Sequence, residues 1–79
     1  MSTQIDINIP EYFTSEMYTG WGLASVVNNI LNDIGFKSIP PQMIYQYMRN
    51  NYIKHNNKKI AREDAITWCE KYIMRKVTK

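Results

Sequence analysis

The sequence predicts a small, mainly α-helical domain with one short β hairpin, preceded by an extended N-terminal arm. Three features of the 79 residues predict it: three stretches with apolar residues at helical spacing, a connector containing two prolines between the first two stretches, and a polar turn before the third. A chain this short buries about 60–65% of the surface that it exposes when unfolded, so its core is thin. We assign residues 1–18 to the arm and residues 19–77 to the domain.

The arm begins with a pattern typical of a strand. Ile5, Ile7 and Ile9 alternate with polar residues over positions 3–9, and Pro10 ends the pattern. Two interpretations stay open: an edge strand of the domain, or a tail that orders only against a partner. Residues 11–18 fit either a helical turn or an irregular lead-in.

The first helix is predicted over about residues 20–34, because its apolar positions recur every three or four residues. Thr19 is an acceptable N-cap, and Gly35 stands where a residue with positive φ commonly ends a helix. The apolar positions are Leu23, Val26, Val27, Ile30, Leu31 and Ile34.

A tight connector and a second helix follow. Proline pushes the residue before it out of the helical region, so Ile39 and Pro40 are expected to be extended, whereas Pro41 suits the first position of a helix. We therefore predict a connector over residues 36–40 and a helix over residues 41–50. Two helices joined by so short a turn form a helix-turn-helix candidate.

The hairpin is predicted directly after the second helix. Residues 52–54 and 59–60 flank the turn 55–58, in which Asn56 and Asn57 tolerate positive φ. A third helix starts near Arg62, with Glu63 and Asp64 favourably placed in its first turn. The predicted architecture is therefore three helices plus a two-stranded wing.

The second helix carries the pattern that points to a function. Ile44, Tyr47 and Met48 share one face, which we expect in the core. The other side presents two glutamines, a phenol and a guanidinium, with no acidic residue. Such a helix fits the major groove, where arginine pairs with guanine and glutamine with adenine. The alternative is a solvated helix face that happens to lack Glu and Asp.

The wing adds basic residues just after that helix. Its tip, which includes His55, would contact phosphates and contribute affinity rather than sequence information. The alternative is an ordinary solvated turn. The candidate DNA-binding residues of the helix and the wing are Gln42, Tyr45, Gln46, Arg49, Lys54, Asn57, Lys58 and Lys59.

The charges are distributed unevenly along the chain. Residues 1–35 carry four acidic and no basic residues, whereas residues 36–79 carry ten basic and three acidic residues, so −4 and +7 sum to the net charge of +3. A basic C-terminal half suits a polyanion, because phosphate contacts release counterions. A solvated lysine-rich surface is the alternative.

Several aromatic residues and the cysteine are expected to be structural. Tyr47 and Tyr52 are assigned to the core, Trp68 closes the last helix over the first, and Cys69 is a small buried hydrophobe. For Trp21 a core position and a partner contact both stay open.

Residues 19–74 resemble the winged helix-turn-helix of the MerR and excisionase type. The stretches IPPQMIYQYMRNNYIK and KKIAREDAITWCEKYI are similar to small helix-turn-helix proteins of bacteria and their phages. The resemblance implies DNA binding through the second helix and the wing. Asn51 departs from the pattern, because relatives usually have glycine there, although Asn also adopts positive φ. The matching positions are Pro40, Pro41, Gln42, Met43, Tyr45, Tyr47, Tyr52, Ile53, Glu63, Asp64, Trp68, Lys71 and Tyr72.

No catalytic, metal or cofactor site is predicted. One His and one Cys cannot supply a four-ligand zinc site, and no glycine-rich phosphate loop is present. No apolar run is long enough to span a membrane, and the N-terminus lacks the basic and apolar regions of a signal peptide. We expect a non-enzymatic, cytoplasmic, nucleoid-associated protein without a small-molecule ligand.

Two functions stay open. The first is sequence-specific binding of double-stranded DNA by a small transcriptional regulator or an excisionase-like factor. One helix and one wing cover only a half-site, so we expect a homodimer or a cooperative oligomer, with Ile5, Ile7 and Ile9 of the arm as the contact. The alternative is a module that binds a host or partner protein rather than DNA. RNA binding is disfavoured, because the aromatic residues are expected to be buried.

Overall fold

The computed structural model describes residues 8–77 of the chain. Within this range it contains three α-helices and a two-stranded antiparallel sheet, which confirms the mainly α-helical class. In chain order the elements are a 3₁₀ helix at Ile9–Tyr12, β1 at Met17–Tyr18, α1 at Gly20–Asp33, α2 at Pro41–Arg49, β2 at Ile60–Ala61 and α3 at Arg62–Val77. No helix of this range is long and apolar enough to cross a membrane.

Both ends of α1 lie where the sequence predicts them. The Thr19 hydroxyl accepts a hydrogen bond from the Gly22 N–H at 3.1 Å and so caps the first turn. At the other end Gly35 has a φ of 89°, and the Phe36 N–H donates to the Leu31 carbonyl at 2.7 Å. This is the Schellman arrangement, which satisfies carbonyls that the helix itself leaves unpaired.

The connector after α1 is held by a side chain of that helix. The Ile39 N–H donates to Asn28 Oδ1 at 2.7 Å, and Asn28 Nδ2 donates to the Ile39 carbonyl at 3.0 Å. Asn32 Nδ2 adds a bond to Ser38 Oγ at 3.0 Å. Because two side chains of α1 bind successive connector residues, the chain enters α2 from a defined position.

α2 begins at Pro41, directly after the extended Pro40, as the sequence predicts. It ends one residue before the predicted boundary, and Asn51 follows with a φ of 63°. The Tyr52 N–H donates to the Tyr47 carbonyl at 2.9 Å, which completes a second Schellman arrangement. Asn51 therefore adopts the left-handed conformation that asparagine tolerates better than most residues.

The predicted pairing of the wing is wrong. Residues 52–54 and 59–60 do not form a two-stranded hairpin, and a single bridge between Asn56 and Lys59 closes the turn instead. β2 pairs with β1, with Tyr18 opposite Ile60. Ile60 is fully buried, and its backbone partner comes from the segment before α1. A local sequence pattern cannot reveal a partner so distant in the chain.

The described part of the predicted arm is folded onto the domain. Of the predicted strand over positions 3–9, residues 3–7 lie outside the described range, and Ile9 begins the 3₁₀ helix. Ile9, Phe13 and Tyr18 are buried in the core. Arg62, at the start of α3, donates from Nε to the Phe13 carbonyl at 2.8 Å and from Nη2 to the Pro10 carbonyl at 3.0 Å. These bonds join the N-terminal segment to α3.

One core draws side chains from the 3₁₀ helix, β1, the three helices and the segments around the turn. Cys69 of α3 is fully buried, as predicted. The largest fully buried side chains of the described range are Phe13, Leu23, Val27, Ile30, Leu31, Ile44, Ile53, Ile60, Cys69 and Ile73.

Not every aromatic residue is buried as predicted. The prediction that Tyr52 lies in the core is wrong, since its side chain is 70% exposed. Trp21, for which a core position and a partner contact were both open, is 65% exposed and lies outside the core. Tyr47 and Trp68 are half-buried and pack against the core from outside. Tyr52 follows the end of α2, where a side chain commonly contacts the last helical turn. Its ring packs edge-to-face on the Tyr47 ring, with the two centroids 5.9 Å apart.

We predict that Asn28→Ala destabilises the domain by about 1–3 kcal/mol, because it removes the hydrogen-bond partners of both the Ile39 N–H and the Ile39 carbonyl. Urea unfolding measures the effect. Asn29→Ala is the matched control, since Asn29 is an exposed residue of the same type in the same helix, and its unfolding should stay within about 0.5 kcal/mol of the parent. Equal losses in the two variants would contradict the role assigned to Asn28.

Candidate nucleic-acid interface

The side of α2 away from the core presents the predicted DNA-binding residues to solvent. Gln42, Gln46 and Arg49 are exposed, whereas Ile44 and Met48 of the same helix are buried. The exposed residues recur at the spacing of one helix face. Two amides and a guanidinium are therefore free to approach a large partner together.

Tyr45 is half-buried on the flank of this face and is positioned by a glycine. A Cβ atom added to Gly20 would lie 2.5 Å from Cζ of the Tyr45 ring. The ring thus lies directly against the backbone of the first turn of α1, in space that only glycine leaves open. The contact holds Tyr45 on the side of α2 that adjoins the turn.

The turn after α2, defined from here on as residues 54–59, contains a tight β-turn closed by the bridge between Asn56 and Lys59. Asn57 and Lys58 have φ values of 53° and 63°, and Asn56 and Lys59 exchange two backbone hydrogen bonds, of 2.8 and 3.0 Å. These features are typical of a type I′ turn, in which both central residues are left-handed. Asparagine accepts that conformation readily, whereas lysine does so at a cost.

The exposed residues of the turn include all four of its predicted members: Lys54, Asn57, Lys58 and Lys59. Ile53 and Ile60, which flank them, are both buried. The basic tip therefore projects from two core anchors rather than from a free loop.

α2 and the turn together form a cleft. Tyr45, Met48 and Arg49 of α2 face His55 and Lys58 across a volume of about 290 Å³. The fold thus brings three predicted residues together, Tyr45, Arg49 and Lys58, and leaves the others outside this cleft. Among the described residues that line it, none is acidic.

The sequence prediction placed His55 at the wing tip but not among the candidate DNA-binding residues. His55 lies in the same cleft, half-buried, and its Nδ1 is 2.9 Å from the Ile53 carbonyl. A lone histidine in a lysine-rich turn gives no local signal of such a position. Only the packing of the turn against α2 reveals it.

The surroundings of this face are strongly basic. Residues 34–62 contain no Asp or Glu and six basic residues, Lys37, Arg49, Lys54, Lys58, Lys59 and Arg62. The next acidic residues along the chain are Glu63 and Asp64, in the first turn of α3, where negative charge interacts favourably with the helix dipole. The segment that forms α2 and the turn therefore contributes no carboxylate to this surface.

A second, aromatic cleft lies on the other flank of α2, against α3. Tyr47, Tyr52, Trp68 and Tyr72 line it with Lys71 and Arg75, and its volume is about 420 Å³. The Trp68 and Tyr72 rings stack on each other, with their centroids 5.0 Å apart and their planes inclined by 15°. Burial is the main cause that raises the pKa of the Tyr72 phenol, and the neighbouring Tyr47 raises it further. The rings mainly pack on one another, and Tyr52 alone among them is largely exposed.

The described residues offer little for covalent or metal chemistry. Burial, with a smaller effect of Glu70, raises the pKa of the Cys69 thiol to about 12, so it stays protonated and a poor nucleophile at neutral pH. The hydrogen bond from Tyr12 to Asp33, 2.6 Å long, raises the pKa of that phenol at the surface. No group of three His, Cys, Asp or Glu side chains within residues 8–77 could hold a metal ion.

Comparisons of the chain with protein families, characterised proteins and solved structures find no match. The resemblance to the MerR and excisionase type therefore stays a prediction. The function is inferred below from the residues and their placement.

We predict that Gly20→Ala displaces the Tyr45 ring and destabilises the domain by about 1–2 kcal/mol, because the added methyl group overlaps the ring. Urea unfolding and nuclear Overhauser contacts between residue 20 and Tyr45 measure the two effects. Gly22→Ala is the control, since its Cβ would meet neighbours no closer than 3.5 Å. It should be neutral or stabilise α1 by up to about 1 kcal/mol. An unmoved Tyr45 in Gly20→Ala would refute the contact.

We predict that Lys58→Gly stabilises the domain by about 0.5–1 kcal/mol, because glycine relieves the left-handed strain of a lysine at φ 63°. Lys59→Gly removes the same charge from the next exposed position, where the backbone is not left-handed. This variant should instead lose stability, because glycine gives the unfolded chain more backbone freedom to lose on folding. Thermal unfolding of the two variants checks the opposite signs. The same sign in both would show that Lys58 is not strained.

Proposed function

We propose that the protein binds double-stranded DNA in a sequence-specific manner, as a small transcriptional regulator or an excisionase-like factor. The observation that carries the proposal is the exposed face of α2 with the turn that meets it at the cleft. It joins exposed Gln42, Gln46 and Arg49 to exposed Lys54, Lys58 and Lys59, and residues 34–62 contribute no acidic residue to it.

α2 supplies the sequence-reading part of the proposal. Its nine residues span about 13.5 Å, which suits insertion into the major groove. Gln42, near the N-terminal end, and Gln46 one turn later would pair with adenine edges. Arg49, one further turn along, would bind either a guanine or a phosphate at the rim of the groove.

The turn supplies affinity. Lys54, Lys58 and Lys59 would contact backbone phosphates next to the groove that α2 occupies. The order of α1, the connector, α2, the turn and β2 supports a winged helix-turn-helix in which the turn serves as a short wing. The MerR and excisionase type is the class we propose for it.

The size of the surface favours more than one copy on the DNA. One short helix and one turn cover a half-site, so a homodimer or a cooperative array would extend the footprint. The N-terminal residues with Ile5 and Ile7 remain our proposed contact, and a nucleoid-associated location follows from the DNA partner.

A protein partner is the second candidate function. Trp21 at 65% and Met17 at 48% exposure are large apolar side chains at the start of α1 and in β1. Exposed tryptophan is enriched in protein interfaces. This observation favours a protein contact through Trp21 and Met17, in addition to DNA or in its place.

Duplex binding should be strongly salt dependent, and Arg49→Ala/Lys58→Ala/Lys59→Ala should weaken it. If each cation contacts a phosphate, the slope of log K against log salt falls by about 2.7 units. Fluorescence anisotropy with a duplex selected from a random pool measures both quantities. Circular dichroism checks that the variant is folded.

The matched control for this test is Lys71→Ala/Arg75→Ala/Lys76→Ala, which removes three cations from α3. It should change the slope by less than half as much as the first variant. Equal duplex affinity of the parent and the Arg49 variant would refute DNA binding through this face. A parent that fails to bind duplex even at low salt would refute the function itself.

A further inference from the structure

We infer that the cleft between α2 and the turn is a binding site for one phosphodiester group of a nucleic-acid backbone, and that His55 couples its occupancy to proton uptake. The inference rests on the proposed DNA-binding function and names a subsite within it. Its ligand is monoanionic and tetrahedral, and its partners are hydrogen-bond donors.

The lining of the cleft matches such a ligand in charge. Arg49 from α2 and Lys58 from the turn contribute basic side chains, and Tyr45 contributes a phenol. Met48 forms the apolar remainder of the lining. Since no carboxylate lines the cleft, the two cations are not neutralised there by a group of the described chain. Charge-assisted bonds from such donors to phosphate are stronger than neutral ones.

The volume matches as well. About 290 Å³ is ample for a phosphate group but lies at the small end of the range for organic ligands. The cleft opens at the surface between two segments that the proposal already brings to the DNA.

The hydrogen bond of His55 defines which ring nitrogen is available to a ligand. A carbonyl oxygen can only accept, so the 2.9 Å contact with the Ile53 carbonyl requires Nδ1 to carry a proton. In the neutral ring Nε2 is then the unprotonated nitrogen, and it would repel a phosphate oxygen. Protonation at Nε2 turns the same atom into a charged donor. Nδ1 keeps its bond to Ile53 in both states.

Binding and protonation are therefore linked. A phosphodiester stays monoanionic near neutral pH, whereas histidine changes its charge between about pH 5 and 8. The other titratable or charged groups that face His55 across the cleft are Tyr45, Arg49 and Lys58. By linkage, a bound phosphate favours the protonated ring, and acidification strengthens binding by the same factor.

The backbone of the turn places Lys58 at this cleft. Lys58 has a φ of 63°, a conformation that glycine or asparagine would adopt at a lower cost. The strained backbone of Lys58 therefore coincides with a position at which its side chain lines the cleft.

The experiment measures affinity for a mixed-sequence DNA duplex by anisotropy, at pH 7.5 and pH 5.5 and constant ionic strength. A mixed sequence suffices, because phosphate contacts do not depend on the bases. The parent should bind about tenfold more tightly at the lower pH, the value of one added charged hydrogen bond. His55→Asn should lose most of this gain. His55→Arg, with a permanent charge, should bind tightly at both values.

Two results would overturn the inference while leaving DNA binding intact. One is an equal pH dependence in the parent and His55→Asn, which would assign the effect to charges elsewhere. The other is a nitrogen NMR spectrum of neutral His55 with the proton on Nε2 rather than Nδ1. Failure of the parent to bind the duplex at either pH would instead reject the proposed function. Circular dichroism and thermal unfolding at both pH values verify that each variant tested is folded.

Discussion

The paired hydrogen bonds between the Asn28 side chain and the Ile39 backbone determine where α2 lies relative to α1. The connector ends at Pro40 and α2 begins at Pro41, and neither proline has an N–H group to donate. An amide side chain of α1 accepts from and donates to the same residue, at 2.7 and 3.0 Å, just before those prolines. The outward face of α2 exists as a surface because this pairing holds the helix with Ile44 and Met48 against the core.

The turn is held by a second, longer-range constraint. Ile53 and Ile60 anchor its two ends in the core, and Ile60 also pairs in the sheet with Tyr18. Arg62, two residues further on, binds the carbonyls of Phe13 and Pro10. The N-terminal segment therefore supports the far end of the turn. The cleft beside α2 depends on residues that make no contact with it.

The described residues with left-handed backbones are concentrated where the chain reverses direction. Gly35 and Asn51 end α1 and α2, and Asn57 and Lys58 form the hairpin turn. Glycine and asparagine tolerate these conformations, so three of the four positions follow from local preference. Lys58 does not, and it is also the only one of the four that lines the cleft. Strain at that position thus coincides with the proposed phosphate contact.

Local pattern was sufficient to predict the helices, their caps and the exposure of Gln42, Gln46 and Arg49, because helix periodicity and the preferences of Thr19, Gly35 and Pro41 act within a few residues. It could not predict the β1–β2 pairing or the burial of Phe13, since each depends on segments distant in sequence. The same limit applies to the cleft: Tyr45, Arg49 and Lys58 were predictable as candidates, but their meeting with His55 was not. The sequence by itself determined which residue types face outward on α2, and the tertiary structure alone decided which of them share one site, because that outcome depends on how the turn packs against the helix.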